Sequence, residues 1–347
     1  MSPGAPIEIQ EKRSSRTRCP VRALGLIVLG SVLFLLTLWA TAAIYIDARV
    51  PRLRVPATGL YLAGVLSLWI FSKRRIYAAG LTFLAFALVL VWWLNLKPSN
   101  DRNWQKDVAL LPYADIEGNK VTLHNIRNCD YRTETDFDVR YYEKILNLED
   151  LRSADLFMVY WGSPWMAHTM VSFGFAGGEH VCFSIETRKE KGEKYSASKG
   201  LFRQFELIYI VADERDLVRL RTNYRQGEEV YLYRLRSSKE RIRASFLDYL
   251  RRVNSLRMRP EWYNAITQNC TTSIRAQRAA TARAPWDWRM LANGYGNELL
   301  YERGVLNTNV GLADLKQRAH INERAKAADK TGDFSVQIRR GVPGPEE

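Results

Sequence analysis

Histidine and cysteine are scarce in this 347-residue sequence, with four of each. No Cys/His pair has zinc-ligand spacing, so a metal site is not expected. There is no phosphate-binding glycine loop and no dinucleotide fingerprint, so no nucleotide cofactor is expected, and no cofactor of any other kind is called for. Internal repeats are also missing. Acidic residues are short by 14 against Lys and Arg, but unevenly: residues 1–96 hold 11 Lys and Arg against 3 Asp and Glu, leaving 40 against 34 for the remainder. The remainder is too mildly basic to be a nucleic-acid footprint. A basic membrane-proximal end fits an anionic membrane surface better.

What is abundant is apolar sequence at the N-terminal end. Three runs, residues 23–46, 55–71 and 76–96, read as transmembrane helices, the middle one at the short limit and containing Pro56. Lys12, Arg13, Arg16, Arg18 and Arg22 precede the first run, and Lys73, Arg74 and Arg75 separate the second from the third. Both clusters belong inside by the positive-inside rule, although Arg49, Arg52 and Arg54 partly oppose it. Three spans from an inside N-terminus place the rest of the chain outside. A cleavable signal peptide competes for the first run, because Ala40-Thr41-Ala42 resembles a cleavage site, but the apolar run continues past it. Either way residues 97–347 lie outside. The expected organisation is a basic N-terminus over 1–22, three helices within 23–96, a linker over 97–120, a folded domain over 121–339 and a frayed tail over 340–347. Trp92, Trp93 and Trp104 read as an interfacial aromatic belt.

The domain is organised around residues 168–186. Thr169, Val171, Phe173 and Phe175 alternate with His168, Met170 and Ser172. After Ala176-Gly177-Gly178 the alternation resumes, with Val181, Phe183 and Ile185 against His180, Cys182, Ser184 and Glu186. Period two on both sides of a glycine turn predicts a β-hairpin. A turn centred on Gly177 pairs residues whose numbers sum to 354, which sets His168 opposite Glu186. A carboxylate there can fix the imidazole tautomer and raise its basicity. His180, on the same face nearer the turn, is the alternative third member. The competing reading makes Glu186 a plain ion-pair partner of Arg188 or another nearby arginine.

The candidate nucleophile is Cys270, in Gln268-Asn269-Cys270-Thr271-Thr272, where polar cap residues precede a helical run to about Arg283. A thiolate in the first helical turn is favoured by the helix dipole and nearby amides. Cys129, Cys182 and Cys270 would all be exported, an odd number that leaves at least one thiol unpaired; a Cys129–Cys182 disulfide stays open. Further strands are expected over 121–127, 156–161, 205–211 and 229–235, with helices over 238–256, 286–303 and 314–328. Residues 188–199 read as a loop beside the site.

Histidine on a strand, a polar partner on the next, and a later Asn-Cys at a helix start is the order of circularly permuted papain-like (NlpC/P60-like) enzymes. Several stretches together resemble one family more closely: Asn125-Ile-Arg-Asn128, Asp130-Tyr131-Arg132, Ala167-His168-Thr169, Ser184-Ile-Glu186-Thr-Arg188, Asp213-Glu214-Arg215-Asp216, Tyr263-Asn264, Asn269-Cys270-Thr271-Thr272 and Asp333 to Arg339. That family is the Lnb N-terminal periplasmic domain family (DUF4105), linked to bacterial lipoprotein N-acylation. Together with the three apolar runs, the resemblance implies an α+β fold: transmembrane helices followed by a permuted papain-like domain with an antiparallel sheet and a nucleophile-bearing helix. It implies a multi-pass protein of the bacterial inner membrane with its C-terminal domain in the periplasm, acting on membrane phospholipid or lipoprotein. Carried over, Cys270 is the nucleophile, His168 the base and Glu186 its partner. Asn269 and Gln268 join the Cys270 amide at the oxyanion, while Ser184, Arg188 and Tyr263 support the site. The expected activity is thiol acyltransfer. A papain-like amidase or peptidase, and a non-catalytic membrane-tethered binding module, are the alternatives. This chain differs from Lnb proteins in carrying three spans before the domain.

Overall fold

The computed structural model describes residues 18–266 and 285–345, with side chains from residue 23 onward. The chain divides into two compact units, Met1–Leu96 and Lys97–Glu347. The expected mixed α+β architecture, apolar helices followed by a mostly antiparallel sheet domain, is observed.

The first unit consists of α1 (Arg18–Asp47), α2 (Pro51–Phe71) and α3 (Arg75–Leu94). Each is long and apolar enough to cross a membrane. The middle helix begins four residues before the expected start at 55. Pro51 sits in its first turn, where the missing N–H costs nothing and the fixed φ suits a helix. Two indole N–H groups on these helices are matched internally: Trp93 Nε1 donates to Asp47 Oδ2 at 2.7 Å and Trp69 Nε1 to Thr82 Oγ1 at 3.1 Å.

Among the described residues of the second unit ten strands form: β1 (Tyr113–Glu117), β2 (Lys120–Arg127), β3 (Asp130–Tyr131), β4 (Phe137–Asp138), β5 (Tyr141–Asn147), β6 (Leu151–Trp161), β7 (Ala167–Phe175), β8 (His180–Arg188), β9 (Glu206–Ala212) and β10 (Glu228–Arg234). Eight of them make one sheet in the order β1-β2-β9-β8-β7-β6-β10, with β5 also on β2. The β3–β4 pair stands apart. Among the described residues every strand pairing is antiparallel except a single parallel contact, Arg127 with Ala212.

Both faces of the sheet are covered. Val171, Phe173, Val181 and Phe183 pack against α5 (Lys239–Met258) through Phe246 and Tyr249. Ser238 caps α5, its hydroxyl accepting from Arg241 N–H. The opposite face, less apolar in sequence, is also buried: Met170, Ser172, Cys182 and Ser184 are fully enclosed. Covering it are α4 (Glu214–Arg219), a π-turn over Leu220–Tyr224, α8 (Asn322–Ala327) and α9 (Phe334–Gln337).

Buried ion pairs seal this second layer. Arg339 reaches both Asp155 (2.8 Å) and Glu214 (2.6 Å), and Ser172 Oγ donates to Glu214 at 2.5 Å. Arg127 makes a bidentate pair with Asp216 (2.9 and 2.6 Å), whose carboxylate also accepts from Cys129 N–H and Tyr131 OH. Such pairs fix one arrangement, because separating either partner leaves a buried charge.

Several expectations change. Residues 97–120, read as a linker, contain β1 and a short helical turn at Lys106–Val108. Trp104 is no membrane-belt residue but is buried under the Arg188 guanidinium, 4.2 Å from its ring centroid. The helix expected over 286–303 is broken into turns at Trp288–Met290 and Asn293–Tyr295 and then α6 (Gly296–Glu302), because Asn293 and Gly294 are held by the β6–β7 turn. The one expected over 314–328 splits into α7 (Leu312–Ala319) and α8, where Ile321 N–H donates to Val230 O beside β10. Residues 340–345 of the tail are packed rather than frayed: Val342 is buried and Asn307 Nδ2 donates to Gly344 O.

Candidate active site

The hairpin has the register the alternation predicts. Gly174 faces His180, Ser172 faces Cys182, and Met170 faces Ser184, each pair summing to 354. Gly177 and Gly178 take φ of 80° and 82°, which glycine alone adopts at little cost, and Phe175 N–H closes the turn on Glu179 O. Two pairs beyond the end of the ladder at Met170 and Ser184, His168 lies across from Glu186, with His168 Nε2 3.1 Å from Glu186 Oε1.

Ser184 stands between them. Its Oγ is 2.7 Å from His168 Nε2 and donates to Glu186 Oε1, also at 2.7 Å. A hydroxyl has one proton; spent on the carboxylate, it leaves Ser184 Oγ to accept from the ring. The polarity of this chain therefore assigns the neutral His168 proton to Nε2 and its lone pair to Nδ1. Ser184 is fully enclosed. It shares Nε2 with Glu186 rather than facing a base oriented from behind, so it positions the ring and is not a nucleophile.

Arg221 was not anticipated. Its Nη2 donates to Glu186 Oε1 at 2.8 Å and its Nη1 reaches Glu228 at 3.3 Å. The π-turn over Leu220–Tyr224 aims it there, an irregularity common at functional sites that residue composition does not announce. Burial pushes the Glu186 carboxyl up, but the charges of His168 and Arg221 and the hydrogen bonds from His168 and Ser184 outweigh it. The carboxyl lies well below the usual carboxylate range, so Glu186 stays ionised.

These groups line a cavity of about 330 Å³. Val108, Trp161, Met166, Ile185, Ile210, Leu217 and Leu291 give it apolar walls, and Asp107, Lys189, Arg225 and Glu228 a charged side. Tyr263 also lines it, with its N–H on Phe205 O at 2.9 Å. Arg188 does not contribute. It turns from Glu186 to Val108 O, Asn100 Oδ1 and Ala109 O, with burial lowering its pKa to about 10. His180, the alternative third member, bonds Gly178 O at the turn, six positions from Glu186 along β8 and about 20 Å away.

Cys270, Asn269 and Gln268 lie outside the described residues. Chain on both sides of them borders the cavity: Tyr263 and Ala265 before, Leu291 and Asn293 after. Cys129 and Cys182 are free, buried thiols in separate clusters, and burial raises the pKa of both, Cys129 to about 12. Among the described residues no group of three or more His, Cys, Asp or Glu could hold a metal ion.

An α+β domain joined to apolar helices, with a carboxylate–hydroxyl–imidazole chain opening on a partly apolar cavity, defines a membrane-associated domain with acid–base capacity. Residues 137–294 match the family model described as the Lnb N-terminal periplasmic domain. The matched stretch contains the hairpin, Arg221 and Cys270 but neither the Asn125–Arg132 segment nor the Arg339 clamp. No curated protein and no solved structure matches the chain.

Proposed function

We propose that the second unit is a cysteine acyltransferase of permuted papain-like design, working at the outer face of the bacterial inner membrane. The observation that carries this reading is the Glu186–Ser184–His168 chain at a cavity with apolar walls. In this reading the basic flanks hold the N-terminus inside, three spans cross the membrane, and the second unit lies in the periplasm. Cys270 is five residues beyond Ala265, a lining residue, so at most about 18 Å of chain separates the thiol from the cavity.

His168 Nδ1 takes the Cys270 proton. The thiolate attacks a lipid ester carbonyl, and collapse forms the thioester while the leaving alkoxide takes the proton from Nδ1. An amine then attacks the thioester and gives its proton to Nδ1, an amide forms, and the thiolate departs to be reprotonated. The oxyanion is met by the Cys270 amide with the Gln268 or Asn269 side chain. Glu186 stabilises the transient imidazolium, and Arg221 keeps Glu186 ionised.

The charged side of the cavity, with Arg225, Lys189 and Glu228, favours a second reading in which the same residues hydrolyse an amide of the cell envelope. Labelling with activated acyl thiol probes of graded chain length decides. Labelling that is lost in Cys270→Ser and His168→Ala and favours long chains supports transfer. Preference for short polar acyl groups supports hydrolysis, and no labelling of a folded protein leaves a binding module.

A further inference from the structure

The cavity mouth carries an exposed aromatic surface that proton transfer does not use. Trp161 is 45% exposed, Trp165 56%, Met166 52%, Trp288 55% and Leu291 47%. A tryptophan offers about 150–250 Å² of surface, so together these side chains leave a few hundred Å² of apolar area in water. Isolated exposed apolar residues need no explanation, whereas a contiguous patch of this size beside a functional cavity does. Contiguity is shown by the rings: Trp165 lies 6.5 Å from Trp288 and 5.3 Å from Tyr295, centroid to centroid. Trp161, Met166 and Leu291 also line the cavity, so the patch is its rim.

The rim is built rigidly. Asn293 accepts from Ala167 N–H at 2.9 Å and donates to Ala167 O at 2.6 Å. Gly294 N–H donates to Trp165 O at 3.0 Å, and a Cβ on Gly294 would stand 2.0 Å from Pro164 O. The glycine is what lets the Trp288 segment press against the β6–β7 turn and hold two tryptophans outward.

Two observations identify the occupant. The last apolar helix ends at Leu94, and Ser99 is already fixed in the second unit, its N–H on Glu206 Oε1 at 3.1 Å. Five residues span at most about 18 Å, so a bilayer crossed by that helix is always within reach. The segment after Ser99 goes on to supply Asp107 and Val108 to the cavity wall. Tryptophan, with an apolar ring and one N–H donor, is the side chain that favours the boundary between acyl chains and headgroups.

We propose that Trp161, Trp165, Met166 and Trp288 dock the cavity mouth into the interfacial layer of the bilayer that anchors this chain, so that a lipid ester enters without crossing water. This rests on the acyltransferase reading for its purpose but not for its test. The full-length protein is reconstituted in phosphatidylethanolamine/phosphatidylglycerol vesicles containing a phospholipid with a diazirine near the acyl carbonyl, irradiated, and mapped by mass spectrometry. Crosslinks are expected on peptides covering residues 161–166 and 286–291, and are lost from both in a folded Trp165→Glu/Trp288→Glu variant while those on residues 23–94 persist. Crosslinks confined to residues 23–94 in the wild type, as when a second copy or a protein partner covers the rim, overturn the proposal. Rim crosslinks without a Cys270 acyl-enzyme would leave docking standing and remove the transferase reading; an acyl-enzyme without rim crosslinks would do the reverse.

Discussion

Replacing Ser184 by alanine isolates the hydroxyl that joins Glu186 to His168. The side chain is fully enclosed, so water does not replace it, and the substitution deletes two hydrogen bonds of 2.7 Å. A hydrogen bond involving a charged partner contributes about 1.5–3 kcal/mol. His168 Nε2 already lies 3.1 Å from Glu186 Oε1 and can bond to it directly, so the lower end applies. In the proposed mechanism, whose transition state makes His168 an imidazolium, that corresponds to about a tenfold slower acylation of Cys270. Two further consequences follow from the same geometry. The Glu186 carboxyl loses one of the bonds that depress it, so the acid limb of the acylation rate moves to higher pH. Stability falls by about 1 kcal/mol, or about 2–4 °C in melting temperature for a unit of this size. The assay is the single-turnover rate of thioester formation from pH 4 to 9, with thermal melting beside it. A wild-type rate and an unmoved acid limb, with only the melting temperature lowered, would refute the relay and reduce Ser184 to packing.

Arg339→Leu strands Asp155 and Glu214, both fully buried, and is expected to cost about 3–5 kcal/mol; a melting temperature equal to wild type would show the clamp to be idle. Asn293→Ala removes two hydrogen bonds to the Ala167 backbone and should destabilise by about 1–3 kcal/mol, measured by chemical denaturation of the second unit within the full chain. His124 lies between Glu143 and Asp115; the hydrogen bond to Glu143 raises its pKa, burial opposes this, and Asp115 adds to the rise. A raised imidazole stabilises fully below its unfolded value and loses that contribution as pH climbs through the folded one. His124→Phe, which preserves stacking on Tyr113, should therefore flatten the decline in stability above about pH 6.5. The effect is at most about 1 kcal/mol because both carboxylates face solvent. Native alkylation at pH 8 should leave Cys129 and Cys182 unmodified, since burial raises both thiols; modification of either before unfolding would contradict their enclosure.

The hairpin was legible because alternation and a glycine turn are local signals. Once Gly177 is taken as the centre, the 354 sum places His168 across from Glu186 with no further information. The three apolar helices were legible for the same reason. What sequence did not disclose is the second layer. The face bearing Ser172, Cys182 and Ser184 reads as half-polar, and alternation assigns such a face to solvent; its cover comes from 30 to 170 residues further along the chain. Arg221 was hidden by that same distance, and by a π-turn, whose register has no signature in residue type. Glu186 therefore paired in sequence with its neighbour Arg188 and in space with Arg221.

The motifs that carry the family resemblance separate on the same principle. Asn125 takes a left-handed φ of 57° where β2 shifts register on β5, and Arg127, Tyr131 and Asp216 tie the β2 end to α4. Asp155, Glu214 and Arg339 close the opposite layer. None of these last three lines the cavity, and Arg127 does so with its guanidinium already committed to Asp216. Charged residues spread over 200 positions look like a catalytic constellation when only their types are known. Their burial and bidentate pairing show a scaffold, one whose effect on the site is to press the π-turn onto β8 and so hold Arg221 against Glu186. A variant that weakens this layer, such as Arg339→Leu, should then lower acylation through the Glu186 ionisation as well as through folding. Its acid limb should move in the same direction as that of Ser184→Ala, and a loss of rate with the acid limb unchanged would separate the scaffold from the site.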